Sequence, residues 1–288
     1  MRSVKSVRPL GHLNPGRLVF IANNTRQNEL LMPNNLLIEG RDSGVQVLTL
    51  NRPEALNALN TELLGELSEA LDNAEVDPEI RAVVLTGSQK AFAAGADVDE
   101  MASRDLVGIL EDPRVAHWER IARFTKPMIA AINGFALGGG CELAMHADIM
   151  IAGENARFGQ PEINLGIMPG AGGTQRLVRK VGESLAMHMA LTGEPIDAKR
   201  ALQAGLISEI CQPELTLERA IQIGHSIASK APIAVRLTKE SVRKANDMSL
   251  ADGQRFERHA FTILAGTADR QEGLAAFREK RKPRFTGQ

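Results

Sequence analysis

Hydrophobic and polar positions along the chain change rhythm several times, and each change predicts an element. Val45–Leu50 mixes alternation with β-branched residues and predicts a strand, broken by Asn51-Arg52-Pro53. Leu63, Leu64, Leu67, Ala70, Leu71 and Ala74 then recur at helical spacing, with Asn60 or Thr61 placed to cap the helix. Three short apolar runs, at 83–86, 128–132 and 148–152, predict buried strands. From Pro195 onward the spacing is helical, over 198–203, 217–228, 233–244 and 250–265. Strands separated by helical stretches predict a largely parallel, layered α/β core with a helical C-terminal third.

Charge separates the first residues from the rest. Arg2, Lys5, Arg8, Arg17 and Arg26 come before any acid, the first being Glu29. Arg-rich, acid-free starts occur in organelle transit peptides. The absence of periodicity instead predicts a disordered basic extension over residues 1–31, or sequence upstream of a true start at Met32. The expected organisation is that extension, a core over 32–230 and a helical region over 231–288.

Composition narrows the function. Among 288 residues, 43% are apolar and 24% charged, which suits a chain with a proper core. A net charge of −1 gives no overall pull on nucleic acid or acidic membranes. One Trp, nine Phe and no Tyr leave little on which to stack bases. Two cysteines, Cys141 and Cys211, exclude a disulfide framework and most multi-cysteine metal sites, and predict a reducing compartment. No run approaches the ~18 apolar residues of a membrane span. The six histidines show no metal spacing, so no metal site is expected.

Chemistry concentrates in three glycine-marked turns. The strongest is Gly134-Phe135-Ala136-Leu137-Gly138-Gly139-Gly140-Cys141-Glu142, where a strand runs into three glycines and a helix-forming stretch at 141–146. Free amides at a helix start favour developing negative charge. No G-K-[ST] follows and no G-x-G-x-x-G precedes, which argues against a nucleotide loop. Ala93-Ala94-Gly95-Ala96-Asp97 forms a second turn. The third is Gly159-Gln160-Pro161-Glu162, continued by Pro169-Gly170-Ala171-Gly172-Gly173-Thr174; five glycines between 159 and 173, with Pro161 and Pro169, indicate a constrained system.

Taken together, these segments resemble the crotonase (enoyl-CoA hydratase/isomerase) superfamily, from about Leu36 to the C-terminus. Asn51-Arg52-Pro53 with Leu56-Asn57-Ala58-Leu59 matches its N-terminal signature, and Gly205-Leu206-Ile207 a later one. The chain is most similar to short-chain enoyl-CoA hydratases, among them those acting on 2,3-dehydroadipyl-CoA in phenylacetate breakdown. The resemblance implies a spiral of ββα units with a helical C-terminal trimerisation region. It implies addition of water across the 2,3 double bond of a trans-2-enoyl-CoA, in fatty-acid or phenylacetate degradation. The oxyanion-hole amides would be those of Ala96 and Gly139; Glu142 would activate water and Glu162 protonate C2. Ala94, Ala96, Asp97 and Val98 would bind the CoA substrate, with Phe261 and Lys280 contacting its adenosine end, often from a neighbouring subunit.

No cofactor is implied beyond the CoA of the substrate, and the expected assembly is a homotrimer or hexamer. A bacterial cytoplasmic enzyme is expected rather than a mitochondrial matrix one, with no nucleic-acid or membrane partner. Asp99 departs from the Lys common at its position, which weakens any phosphate contact there. The basic residues Arg278, Lys280, Arg281, Lys282 and Arg284 are either phosphate partners or a solvated face. The stretch 101–118 is expected to border the acyl pocket, with Arg104 and Arg114 either meeting a distal carboxylate or solvated. Two alternatives remain at this point: an enoyl-CoA isomerase, which needs one catalytic acid, and a non-catalytic RNA-binding homologue, kept open by the basic N-terminus.

Overall fold

A computed structural model describes residues 35–288; the extension expected over residues 1–31 lies outside the described residues. An antiparallel hairpin opens the fold, β1 (Leu36–Asp42) and β2 (Val45–Leu50). Both turn residues, Ser43 and Gly44, take positive φ, as a two-residue hairpin turn with the strands' own twist requires. Helix α1 (Thr61–Val76) follows, and the Asn60 side chain caps it by accepting from the Leu63 amide at 2.9 Å.

The next units share one plan. Strands β3 (Ala82–Thr86) and β4 (Ala91–Ala93) lead into the short helices α2 (Val98–Ala102), α3 (Leu106–Leu110) and α4 (Arg114–Arg123). Strands β5 (Met128–Ile132) and β6 (Phe135–Leu137) lead into α5 (Gly139–Ala144). Strands β7 (Ile149–Gly153) and β8 (Arg157–Gly159) lead through a 3-10 turn, Pro161–Leu165, into α6 (Gly173–Val181) and α7 (Glu183–Thr192). Then come β9 (Ile196–Asp197), α8 (Ala198–Gln203), β10 (Glu209–Cys211) and the helices α9 (Thr216–Ala228), α10 (Pro232–Lys244), α11 (Leu250–Leu264) and α12 (Ala268–Arg278).

Each unit sends its first strand to one sheet and its second to another. The larger sheet runs β1-β2-β3-β5-β7-β10 and is parallel from β2 onward. The smaller runs β4-β6-β8-β9, with β4, β6 and β8 parallel and β9 antiparallel to β8. That alternation is the spiral of ββα units.

Period-two geometry decides which core each strand residue enters. Val45, Val47, Ala82, Val84, Ile129 and Ala131 pack on one face of the larger sheet with Ala220 and Ala228 of α9. Leu48, Leu50, Val83, Leu85, Ala130 and Ile132 join the main core with α1 on the other face. Two expected boundaries shift. The strand expected over 148–152 is Ile149–Gly153, because Asp148 is spent on β5: its amide donates to the Met128 carbonyl, and its carboxylate accepts from the Met128 amide. The helix expected over 141–146 begins at Gly139, because Gly138 turns the chain with φ +50°. Helix α10 buries no side chain, and α11 buries only Ala260.

Candidate active site

Two turns bring free amides side by side. After β4 the chain is pinned by backbone bonds to the segment before α1: Ala94 N donates to Leu56 O, Leu59 N to Gly95 O and Asp97 N to Leu59 O, at 2.8–3.0 Å. Ala96 N, between those bonds, has no acceptor among the described residues. After β6, Gly139 is the first residue of α5, where an amide has no intrahelical partner. A Cβ built on Gly139 would lie 3.5 Å from Ala96 N, so the two turns are in contact. The approach depends on Gly140, since a Cβ there would stand 2.0 Å from the Ala93 carbonyl oxygen.

The Asn-Arg-Pro and Leu-Asn-Ala-Leu motifs build the first turn. Asn57, buried and with positive φ, donates from Nδ2 to the Ala91 and Phe92 carbonyls at 3.0 and 3.1 Å. Its Oδ1 accepts from the Arg52 amide at 2.8 Å. The Arg52 guanidinium pairs with Asp97 at 3.0 Å. Asp97 also caps α2 by accepting from Glu100 N, which with Arg52 holds its carboxyl below the ordinary range against the opposing effect of burial.

Both candidate glutamates sit beside these amides. Glu142, on α5, is 3% exposed, and its Oε1 accepts from the Ala171 and Gly173 amides at 2.8 and 2.7 Å. Burial still raises its pKa, with those two bonds opposing. Glu162 lies in the 3-10 turn, and a Cβ on Gly138 would meet its Oε1 at 2.9 Å. Burial, with the Glu142 charge adding, pushes its pKa up to about 7. With its amide turned so that the nitrogen faces Glu162, the orientation that satisfies both groups, the fully buried Gln160 donates to both Glu162 oxygens, at 3.0 and 3.2 Å. One carboxylate is thus held by backbone amides while the other keeps a proton near neutrality, the division that acid–base pairs require.

The remaining expected residues fall in three places. Ala94, Asp97 and Val98 share the Ala96 turn, with Val98 and the departing Asp99 exposed. Phe261 on α11 and Lys280 beyond α12 are exposed, and among the described residues no hydrogen bond, ion pair or ring contact ties either to the carboxylate turns. Arg104 and Arg114 are neither solvated nor free: Arg104 pairs with Glu100 and Asp112, and Arg114 with Asp112, at 2.6–2.7 Å. In the basic tail, Arg281 is taken by Glu272 and Glu279.

Sequence reasoning gave no role to Gln160 or Asn57, although both stand inside the quoted motifs. A polar side chain flanked by Gly and Pro beside a candidate acid was the available signal for Gln160. Among the described residues no three His, Cys, Asp or Glu side chains converge as metal ligands would.

Known proteins resemble this chain over most of its length. The profile of the family described as "Enoyl-CoA hydratase/isomerase" matches residues 40–288. The chain is 52% identical over 251 residues to the 2,3-dehydroadipyl-CoA hydratase of Escherichia coli (strain K12), covering 87% of this chain and 98% of that protein. It is 51% identical over 249 residues to a mitochondrial enoyl-CoA hydratase of Pongo abelii, covering 86% of each. A crystal structure of an enoyl-CoA hydratase from Bacillus anthracis superposes with a TM-score of 0.84 at 40% identity, covering 88% of this chain and all of that one.

Proposed function

The chain belongs to the enoyl-CoA hydratase/isomerase family, and on that premise we propose that it adds water across the 2,3 double bond of a trans-2-enoyl-CoA. The observation that carries the reading is a buried and a half-buried glutamate, in different hydrogen-bonding states, beside two partnerless amides. In the proposed reaction the thioester oxygen lies between Ala96 N and Gly139 N, where fixed donors stabilise the charge that builds as water attacks C3. The start of α5 adds the positive end of its peptide dipoles. Glu142, its Oε1 fixed by two amides, orients the water and takes its proton through the free oxygen. Glu162, protonated up to about pH 7, delivers a proton to C2.

Hydration is redox-neutral, and passage of the proton from Glu142 back to Glu162 resets the pair, so no redox cofactor is called for. An isomerase needs only one of the two acids, and the care with which both are held favours hydration.

Ala94, Asp97 and Val98 frame the thioester end in this reading, and Phe261 and Lys280 of a neighbouring copy meet the adenosine end. The assembly is a trimer or a dimer of trimers. Its support is the exposure of Leu250, Phe261 and Phe277 on helices that bury little of their own. Two free cysteines suit a reducing compartment, and we place the enzyme in the bacterial cytoplasm.

The acyl chain is short, and a C6 dicarboxylic enoyl-CoA, as named for the Escherichia coli relative, is the favoured substrate. Steady-state hydration of crotonyl-CoA and 2,3-dehydroadipyl-CoA tests this, with higher kcat/KM expected on the second. No loss of the enoyl absorbance with either substrate would reject the hydratase.

A further inference from the structure

Just past the C-terminal end of α5, one turn beyond Glu142, the chain lines a groove of about 1040 Å³ between the larger sheet, α6 and α10. Its floor is apolar, formed by Met128 and Ile129 of β5, Met145, Ile149 of β7, and Val235 of α10. Its walls are cationic. Arg176, Arg179 and Lys180 of α6 face Lys230, Lys239 and Arg243, against two acids, Asp148 and Asp247.

Asp148 is already committed, contacting Lys239 at 2.8 Å, Arg243 at 2.7 Å and the Met128 amide at 2.9 Å. Arg179 donates to the Gln175 carbonyl within its own helix. Arg176 and Lys180, one helical turn apart, are half-buried, and neither side chain has a hydrogen bond or ion pair among the described residues. Burial pushes both pKa values down, opposed only in part by the Glu142 charge at Arg176 and the Asp148 charge at Lys180.

We propose that this groove binds an amphipathic organic anion, with a carboxylate between Arg176 and Lys180 and an alkyl chain along the apolar floor. Half-buried cations without partners favour an anion, and the floor favours a hydrocarbon body over a bare ion. The groove adjoins the carboxylate pair, since Arg176 acts on the Glu142 charge and His146 bonds the Glu142 carbonyl, but its occupant does not depend on the hydratase reading.

Calorimetric titration of the full chain with decanoate tests it, with decan-1-ol and inorganic phosphate as the other arms. Trp118, the single tryptophan, stacks on the groove-lining His146 with ring centroids 5.3 Å apart and serves as a local fluorescence reporter. Decanoate is expected to bind saturably, and decanol and phosphate at least about tenfold more weakly. Lys180→Gln breaks no contact within the chain; it is expected to weaken decanoate about tenfold or more, with Lys180→Arg restoring affinity. Crotonyl-CoA turnover by Lys180→Gln is expected to match the parent, so loss of hydratase activity and loss of this site are read separately.

Absence of saturable decanoate binding overturns the proposal, as does decanol or phosphate binding as tightly as decanoate. So does decanoate that competes with crotonyl-CoA and is indifferent to Lys180→Gln, since it would then occupy the acyl pocket.

Discussion

Helix α5 is six residues long and buries all six, whereas α10 is thirteen residues long and buries none. A helix as short as α5 has no stability of its own in water; it exists because it is packed between other elements. Gly139 and Gly140 open it, and at Gly140 the backbone lies against β4 with no room for a side chain. Its one charged residue, Glu142, is satisfied by the amides of Ala171 in the loop before α6 and of Gly173 at that helix's start. The C-terminal helices are the reverse: α11 and α12 leave Leu250 79%, Phe261 64% and Phe277 84% exposed. A polar group is buried only where the chain supplies its partners, whereas large exposed apolar groups are the kind of surface that interfaces use.

The largest expected effect breaks the buried region. Glu142→Gln and Glu162→Gln each keep the side chain's shape but remove its proton chemistry, and each should cost at least ~10²-fold in hydration. The double variant should lose far less than the product of the two, as groups acting as a unit do. Hydration kinetics of the three variants check this, and a dispensable glutamate would end the paired mechanism.

The exposed region answers to a different measurement. Light scattering should give three or six times the chain mass of 31.1 kDa. Phe277→Glu should lower that mass while leaving the far-UV spectrum intact; a parent of single-chain mass would mean that the apolar faces serve something else.

The pH dependence sharpens the comparison within the buried region. Glu162 ionises near 4.5 as an unperturbed side chain and near 7 in the fold. Between those values the unfolded chain has lost the proton that the native chain keeps. Stability from this group is therefore full below about 4.5 and lost as pH rises to about 7. Glu162→Gln should flatten that part of the Tm–pH curve. In the parent, kcat/KM should fall as pH rises through about 7, where the proton for C2 is lost. A profile without an alkaline limb near 7 would assign the proton to another group.

The smallest effects come from the caps. Asn60→Ala removes the acceptor for Leu63 N at the start of core helix α1 and should cost about 1 kcal/mol, or roughly 2–4 °C in Tm. Ser249→Ala removes the acceptor for Asp252 N on exposed α11 and should shift Tm less. Equal shifts in thermal melts would mean that the two regions unfold as one.

Sequence alone determined the long elements and the identity of the chemical groups. The alternation of Val45–Leu50, the apolar run Met128–Ile132 and the spacing of Leu63, Leu67 and Leu71 each span enough residues for a period to show. The glycine-marked turns around Ala96, Gly139 and Glu162 were legible too, since their residue types are unusual together. The smaller sheet was not, because β4, β6 and β8 have three residues each, too few to carry a period. Those strands acquire meaning only when parallel pairing sets them side by side.

Tertiary structure likewise decided that Glu162 keeps its proton, because a pKa depends on burial and on a neighbouring charge twenty positions away in the chain. It set Arg104 against Thr61, 43 positions away in the chain, a pairing no local pattern announces. Local patterns fix what each segment prefers to be; contacts between distant segments fix what its side chains are able to do.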